Sequence, residues 1–464
     1  MNVSFRSAPG IAWREGCPRC VRRLTRLHYA KSTHVISGYH IRYNPNRPKG
    51  IANQVTDIDR MLHPDEARQI VITNAKSIGT ERIPIEQAGG RVLSEPLVAS
   101  QSLPPFRAST MDGFAVVHDD AAAELTILAG GLAGSVRDEP VEAGFAARIM
   151  TGAPVPEGAD AVVPVENTVE SDGRVRITQE TVREGDNIRP IGSDMMEGDR
   201  VLEAGIRLTP PDLGLLASLG HARVIVGIQP RVAVMSTGDE IVAPDVEPGP
   251  GQIRDSNRFS LAYAAEQAGG RIVMNRHVAD DIDELRSAFA DALASADVII
   301  TSGGVSMGDR DLVKALLGEL SEVHFRRVFM KPGKPLNFAT AGEKLIFGLP
   351  GNPVSCLVSF HMFAAPALGI LQGAPADAYP RVPVRVVESI RPSDRIEYQR
   401  AKIVVQEDGT LTAVTTGSQQ SARLQSFVGA NGFLVVPASG DEIPSGSTLE
   451  AIPFAPLVPA SIDR

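Results

Sequence analysis

Asp297-Val298-Ile299-Ile300-Thr301-Ser302-Gly303-Gly304-Val305-Ser306-Met307-Gly308-Asp309-Arg310-Asp311 is the stretch on which the fold turns. Asp297 to Ile300 predicts a buried strand, and Ser302 to Ser306 a tight turn into a helix. Glycines at such a turn let backbone N–H groups approach an anion, and a helix N-terminus favours negative charge. Asp309 and Asp311 would repel a phosphate unless a cation stood between them, which suggests a Mg²⁺-bridged phosphate. A Gly-Gly turn alone is weak evidence, because any tight strand–helix connection uses one.

Outward from this turn the pattern repeats. Val232 to Met235 predicts an apolar strand followed by the turn Ser236-Thr237-Gly238-Asp239-Glu240. Helices are expected over Asn257 to Ala268 and Asp281 to Ser295. A further strand is expected over Lys344 to Gly348, after which Gly351-Asn352-Pro353 opens a long helix. Strand alternating with helix is the signature of a doubly wound, mostly parallel sheet with sites at strand C-termini. We assign it residues 227–374. Short Val- and Ile-rich runs between turns, such as Phe114 to Val117 and Ala161 to Val165, predict a small β domain over 107–186. Residues 61–106 and 187–226 flank it, with helices expected over 62–81 and near Pro211 to Leu219. Residues 375–464 are again β-like, with runs at Val382 to Val387, Ala401 to Val405 and Gly432 to Val436.

The first 60 residues carry 11 Lys and Arg against three acids, a net +8, while the remaining 404 carry −17. The lead is expected to be basic and disordered. Its Cys17-Pro18-Arg19-Cys20 lacks the second ligand pair usual in zinc sites. So acidic a body is a poor general nucleic-acid binder, since phosphate contacts need clustered cations. Three cysteines are too few for a disulfide framework and fit a reducing cytoplasm. Pro353 to Leu371, the most apolar stretch, contains His361 and Pro366 and reads as a buried helix rather than a membrane span.

Three further stretches bear chemistry. Lys331-Pro332-Gly333-Lys334-Pro335 holds two ammonium groups three residues apart in a rigid turn outside any helix, an arrangement suited to an oxyanion. In Gly348-Leu349-Pro350-Gly351-Asn352-Pro353-Val354-Ser355, Asn352 is a natural N-cap and Pro353 suits the first helical position. Carboxylates follow strands at Asp112 and Asp239, and Met150 to Pro156 adds the Thr151 hydroxyl in a stiff loop. A lone Asp beside Gly is ordinary turn chemistry, but several such acids with two fixed lysines exceed what turns require. There is no P-loop, no metalloprotease HExxH and no nucleophile elbow.

Six segments in this order, Ser109 to Ala115, Met150 to Glu166, Ser236 to Glu240, Ser302 to Asp311, Met330 to Pro335 and Gly348 to Ser355, resemble the molybdopterin molybdenumtransferases, the MoeA and gephyrin E-domain family. The resemblance covers about residues 61–460. It implies an elongated discontinuous N-terminal domain, an inserted small β domain, the doubly wound domain and a C-terminal β-barrel. It further implies a cytoplasmic homodimer that takes adenylylated molybdopterin and molybdate, uses Mg²⁺, and releases AMP and molybdenum cofactor. Carried over by motif, Asp239 and Asp311 are the expected holders of the cation or of the pyrophosphate environment, and Ser306, Lys331 and Lys334 the expected anion ligands for phosphate or molybdate. Ser302, Gly303, Gly304, Gly351, Asn352 and Pro353 line the expected substrate turns. Asp112 and Thr151 match functional positions from the β-domain side, and Asp212 stands where many relatives carry Glu. Arg400, Ser421 and Arg423 align with a proposed molybdate-binding surface, where Ala422 replaces a frequent second Ser. Two alternatives fit parts of the chain: the molybdopterin adenylyltransferase, which shares the doubly wound domain, and a non-catalytic gephyrin-like scaffold. Molybdopterin adenylyltransferase and molybdoenzymes are the further partners the resemblance suggests.

Overall fold

A computed structural model describes residues 58–121, 123–128, 139–304, 312–376 and 380–459. One of its two seven-stranded sheets runs in the order Met61–Leu62, Glu322–Val328, Pro335–Ala341, Lys344–Leu349, Val298–Ser302, Arg231–Thr237, Arg271–Val278. Neighbours pair in parallel except Pro335–Ala341, which runs antiparallel to both strands beside it. The central strands are buried along nearly their whole length and mostly apolar, because both faces are covered; Ser236, Thr237, Thr301 and Ser302 are the polar residues toward their C-terminal ends. Val232, Val234, Val298 and Ile300 pack toward helices Asn257–Gln267 and Pro353–Leu371; Ala233, Met235 and Ile299 pack toward Ile282–Ser295 and Leu312–Leu320. The result is the doubly wound layer expected from the strand–helix alternation.

Two features of this layer escaped the sequence reading. Glu322–Val328 and Pro335–Ala341 were not recognised as strands, so the two-lysine turn proves to be the connection between antiparallel neighbours. The helix expected over 62–81 is Pro64–Asn74. Beyond it the chain extends: Ile78 donates its N–H to the Leu371 carbonyl, Gly79 takes a φ of +109°, and Thr80–Pro84 pairs with Arg223–Gly227. Ile78 therefore reaches the core as part of an extended segment rather than on a further helical turn. Leu62, Ala67 and Val71 join the same core, so Met61–Asn74 packs with the doubly wound layer and not with residues 80–106.

Residues 80–103 and 188–226 form three short two-stranded ladders that also involve Ala108–Ser109, with helix Pro210–Ser218 beside a core of Ile83, Leu93, Leu97, Leu208, Leu216 and Val226. Between these segments lies a six-stranded β unit, Gly113–Val116 through Arg174–Ile177, with its own apolar clusters. At the C-terminal end, strands Val382–Val386, Ile396–Val405, Leu411–Thr415, Gly432–Val436 and Thr448–Pro453 pair in a closed ring, a five-stranded barrel. The strand read as Ala401 to Val405 is twice that length. Helix Pro353–Leu371 is apolar enough to cross a membrane by composition, yet 83% of its apolar window is buried.

Candidate functional site

Two adjoining clefts open at the C-terminal ends of the parallel strands, with volumes of about 450 and 270 Å³. The turns after Arg231–Thr237, Val298–Ser302 and Lys344–Leu349 converge there, as is general for open α/β sheets. Of the residues expected at the site, Ser302, Gly303, Gly351, Asn352 and Pro353 line the larger cleft, and Gly303, Gly304, Gly351 and Asn352 the smaller. Gly303 has a φ of +95°, and a Cβ there would stand 2.6 Å from the Thr237 carbonyl oxygen. No other residue type fits that turn without displacing its neighbour. Ser306, Asp309 and Asp311 lie outside the described residues.

Asn257, at the start of its helix, latches two of the turns together. Its amide donates to Ser302 Oγ at 2.7 Å and to the Gly351 carbonyl at 2.7 Å. Behind it, the buried Asp255 accepts from Ser236 Oγ at 2.6 Å and from Arg258 Nε at 3.0 Å. Ser236 Oγ also lies 3.2 Å from Nδ1 of the exposed His277. The sequence reading passed over this network; the polar run Arg254-Asp255-Ser256-Asn257-Arg258 at a helix start was the available signal. Cys356 is buried beneath it, and burial pushes its thiol up to about 12, which leaves it unreactive.

The acids divide. Asp239 accepts the Asp280 backbone N–H at 3.0 Å. Burial, and then the carboxylates of Asp239 and Glu240, push the Asp280 carboxyl above its usual range. Negative charge is therefore concentrated beside the smaller cleft, which Glu240 and Asp280 line. Among the described residues no three acids, histidines or cysteines close on a common metal position. Mg²⁺ does not need such a cage, since it is usually held by one or two carboxylates with waters and substrate phosphates; Asp239 is a carboxylate of that kind, though it lines neither cleft and one of its oxygens is taken by the Asp280 N–H. Asp212 is held differently: its carboxylate accepts from the Thr209 N–H at 2.7 Å as part of a capping box.

Asp112 and Thr151 meet in the β unit, on a different part of the chain from the clefts. The Asp112 carboxylate accepts from the Thr151 N–H at 2.7 Å and from its hydroxyl at 2.8 Å, and these bonds hold the carboxyl below its usual range. Both residues are exposed.

The barrel reaches the clefts directly. Asn352 makes no side-chain cap to its helix, contrary to the sequence expectation; its Nδ2 donates to Ser421 Oγ at 3.2 Å. The Val354 N–H, one of the helix's unsatisfied first-turn donors, bonds the Ser421 carbonyl at 3.1 Å. Ala422 lines the larger cleft, and Arg423 beside it is exposed. Arg400 is fully buried: Nε donates to Ser426 Oγ at 3.0 Å and Nη2 to the Ser418 carbonyl at 3.2 Å. Burial pushes its guanidinium down to about 10, against the opposing pull of Glu397. In the two-lysine turn, Lys331 Nζ donates to Glu397 Oε1 at 3.1 Å, and Pro335 lines the smaller cleft.

Three domain-family profiles match the chain in order: the MoeA N-terminal region (domain I and II) at residues 62–220, a probable molybdopterin binding domain at 233–369, and the MoeA C-terminal region (domain IV) at 387–454. The chain is similar to the molybdopterin molybdenumtransferase of Haemophilus influenzae, with 36% identity over 404 residues, 86% of this chain and 100% of that one. It is 34% identical over 447 residues to gephyrin of Dictyostelium discoideum, covering 85% of this chain and 62% of that protein. Its fold resembles the molybdopterin biosynthesis MoeA protein of Pyrococcus horikoshii, with a TM-score of 0.70 at 30% identity over 86% of this chain and 100% of that one.

Proposed function

The chain belongs to the molybdopterin molybdenumtransferase family, and from that premise we propose that it inserts molybdenum from molybdate into adenylylated molybdopterin, with Mg²⁺, releasing AMP. The observation that carries this reading is the docking of the barrel's Ser421 loop onto the N-terminus of helix Pro353–Leu371. It brings Ser421 and Ala422 of the barrel beside the Gly351-Asn352 turn of the doubly wound layer. Two anionic substrates thus face one surface.

The chain's own groups supply positioning and charge neutralisation, which pyrophosphate cleavage mainly requires. Backbone N–H groups of the Gly303-Gly304 turn and the helix N-terminus after Asn352 suit phosphate oxygens. Lys331, Lys334 and Arg400 provide the positive field toward molybdate, with Ser421 and the exposed Arg423 at the rim. Asp239, with Asp311, would hold Mg²⁺, whose role is to neutralise phosphoryl charge. Asp112 and Thr151 do not line the clefts of their own chain. Their placement supports a homodimer in which they serve the partner's cleft. A cytoplasmic site of action fits the cysteine content and the −17 body.

The test is AMP release from adenylylated molybdopterin with Mg²⁺, with and without molybdate, followed by reconstitution of a molybdenum-free apoenzyme. Molybdate-dependent release with reconstitution is the expected result. Consumption of ATP with free molybdopterin would instead identify an adenylyltransferase, and silence in both assays a scaffold. Asp311→Asn is expected to abolish AMP release with the oligomeric state unchanged; normal turnover would remove Asp311 from the site.

A further inference from the structure

Lys331 and Glu397 face one another across two elements. The short strand Met330–Lys331 pairs in parallel with the start of the barrel strand Ile396–Val405, and Lys331 is the register partner of Glu397. Arg395 Nη1 ties the same point by donating to the Met330 carbonyl at 3.1 Å. The two side chains are unequally placed: that of Lys331 is 42% exposed and that of Glu397 only 5%. Glu397 spends its acceptors inward, Oε1 on Lys331 Nζ at 3.1 Å and Oε2 on Gln399 Nε2 at 2.8 Å. Burial works to raise its carboxyl, but the hydrogen bonds, Gln399 and Lys331 among them, hold it below its usual range. It is therefore a charged group at neutral pH. A buried carboxylate is costly and adds little stability even when paired. Its physical effect is to engage one of the three ammonium donors of a side chain that stays part-exposed. Three residues along the same strand, Arg400 feels the same charge.

We propose that Glu397 is a positioning residue: from the barrel it holds the Lys331 ammonium in the orientation that meets the oxyanion substrate. The proposal rests on Lys331 acting as an oxyanion ligand, as read above. A different role predicts the opposite sign. If Glu397 were only a counter-charge, removing it would strengthen the local positive field and tighten binding of a dianion.

The experiment measures molybdate binding to the full chain by calorimetry, alongside the molybdate KM and kcat of insertion, for Glu397→Gln, Lys331→Ala and the double variant. Glu397→Gln is expected to weaken molybdate binding about tenfold and to raise KM, with kcat changed less than about threefold. The double variant is expected to bind no worse than Lys331→Ala, because Glu397 acts only through Lys331. Thermal midpoints separate this from structural damage. Lys331→Ala strands a buried carboxylate and should lower the midpoint, and the double variant should recover it while its KM stays high. Tighter binding in Glu397→Gln, or additive losses in the double variant, overturn the proposal. Should Glu397→Gln fold poorly, Glu397→Asp retains the charge one methylene short of Lys331. A partial loss of affinity there supports the proposal, and wild-type affinity overturns it. Failure of insertion in the wild-type chain, by contrast, would count against the function and not against this coupling.

Discussion

His361 lies in helix Pro353–Leu371 among aromatic rings, stacked on Phe454 at 5.0 Å and edge-on to Phe433 at 5.7 Å. Burial pushes its imidazole down to about 4 from an ordinary 6.5. The folded ring therefore refuses a proton that the unfolded chain accepts below pH 6.5. Stability from this group is complete above that pH and is lost as pH falls toward 4, by at most about 3 kcal/mol at ~1.36 kcal/mol per unit. His361→Phe should remove this part of the slope. Urea unfolding at pH 7.5, 6 and 5 should show the variant gaining on the wild type as pH falls; a constant gap would refute the assignment. Asp112 is the converse case, an exposed acid whose meaning is chemical. Asp112→Asn still offers an oxygen to the Thr151 N–H, so the fold should persist while insertion falls roughly tenfold or more through loss of charge; near-normal turnover with an intact thermal midpoint would remove it from the machinery. The sequence pointed to Asp112 through its motif. It could not point to Glu397, whose only mark is polarity at a position that turns out to be buried.

Local elements were legible where one rule governed them. The strand Gly432–Val436 and the helix Ile282–Ser295, capped by Asp281, follow apolar pattern and capping preference alone. Reading failed where tertiary demands intervened. Residues 396–400 were missed because Glu397, Gln399 and Arg400 interrupt the apolar pattern, and they do so because that stretch carries the contacts to the lysine turn and the Ser418–Ser426 loop. Asn352 and Asp212 make the contrast testable. Asp212 completes a capping box, so Asp212→Ala should cost about 1 kcal/mol in thermal or urea unfolding. Asn352 caps nothing and instead joins the barrel loop, so Asn352→Ala should cost less than that while weakening molybdate binding. Equal stability losses in the two variants would mean that Asn352 serves its helix after all.

Across the molecule, the placement of cores determines which parts depend on one another. The matched family regions begin at residue 62, and every candidate site residue lies beyond it. Deleting residues 1–57 should therefore leave molybdenum insertion unchanged; an inactive truncation would give that segment a role. The barrel and the doubly wound layer share one apolar cluster, in which Tyr398, Phe433 and Ile452 pack with Phe360, Phe363 and Leu368. Opening the barrel would expose rings on both sides of that contact, at roughly 1.5–3 kcal/mol for each large side chain. The β unit differs, since Phe114, Leu125, Ala161 and Val163 form a cluster confined to its own strands. Native-state hydrogen exchange in rising urea should then resolve two behaviours. Amides of Gly432–Val436 should open together with those of Arg231–Thr237, at one free energy and one denaturant dependence. Amides of Gly113–Val116 and Ala161–Pro164 should open separately, with the smaller dependence of a smaller unit. If the barrel opened ahead of the parallel sheet, the shared core would not be holding them as one unit, and Glu397 could not position Lys331 from a barrel that moves independently of it.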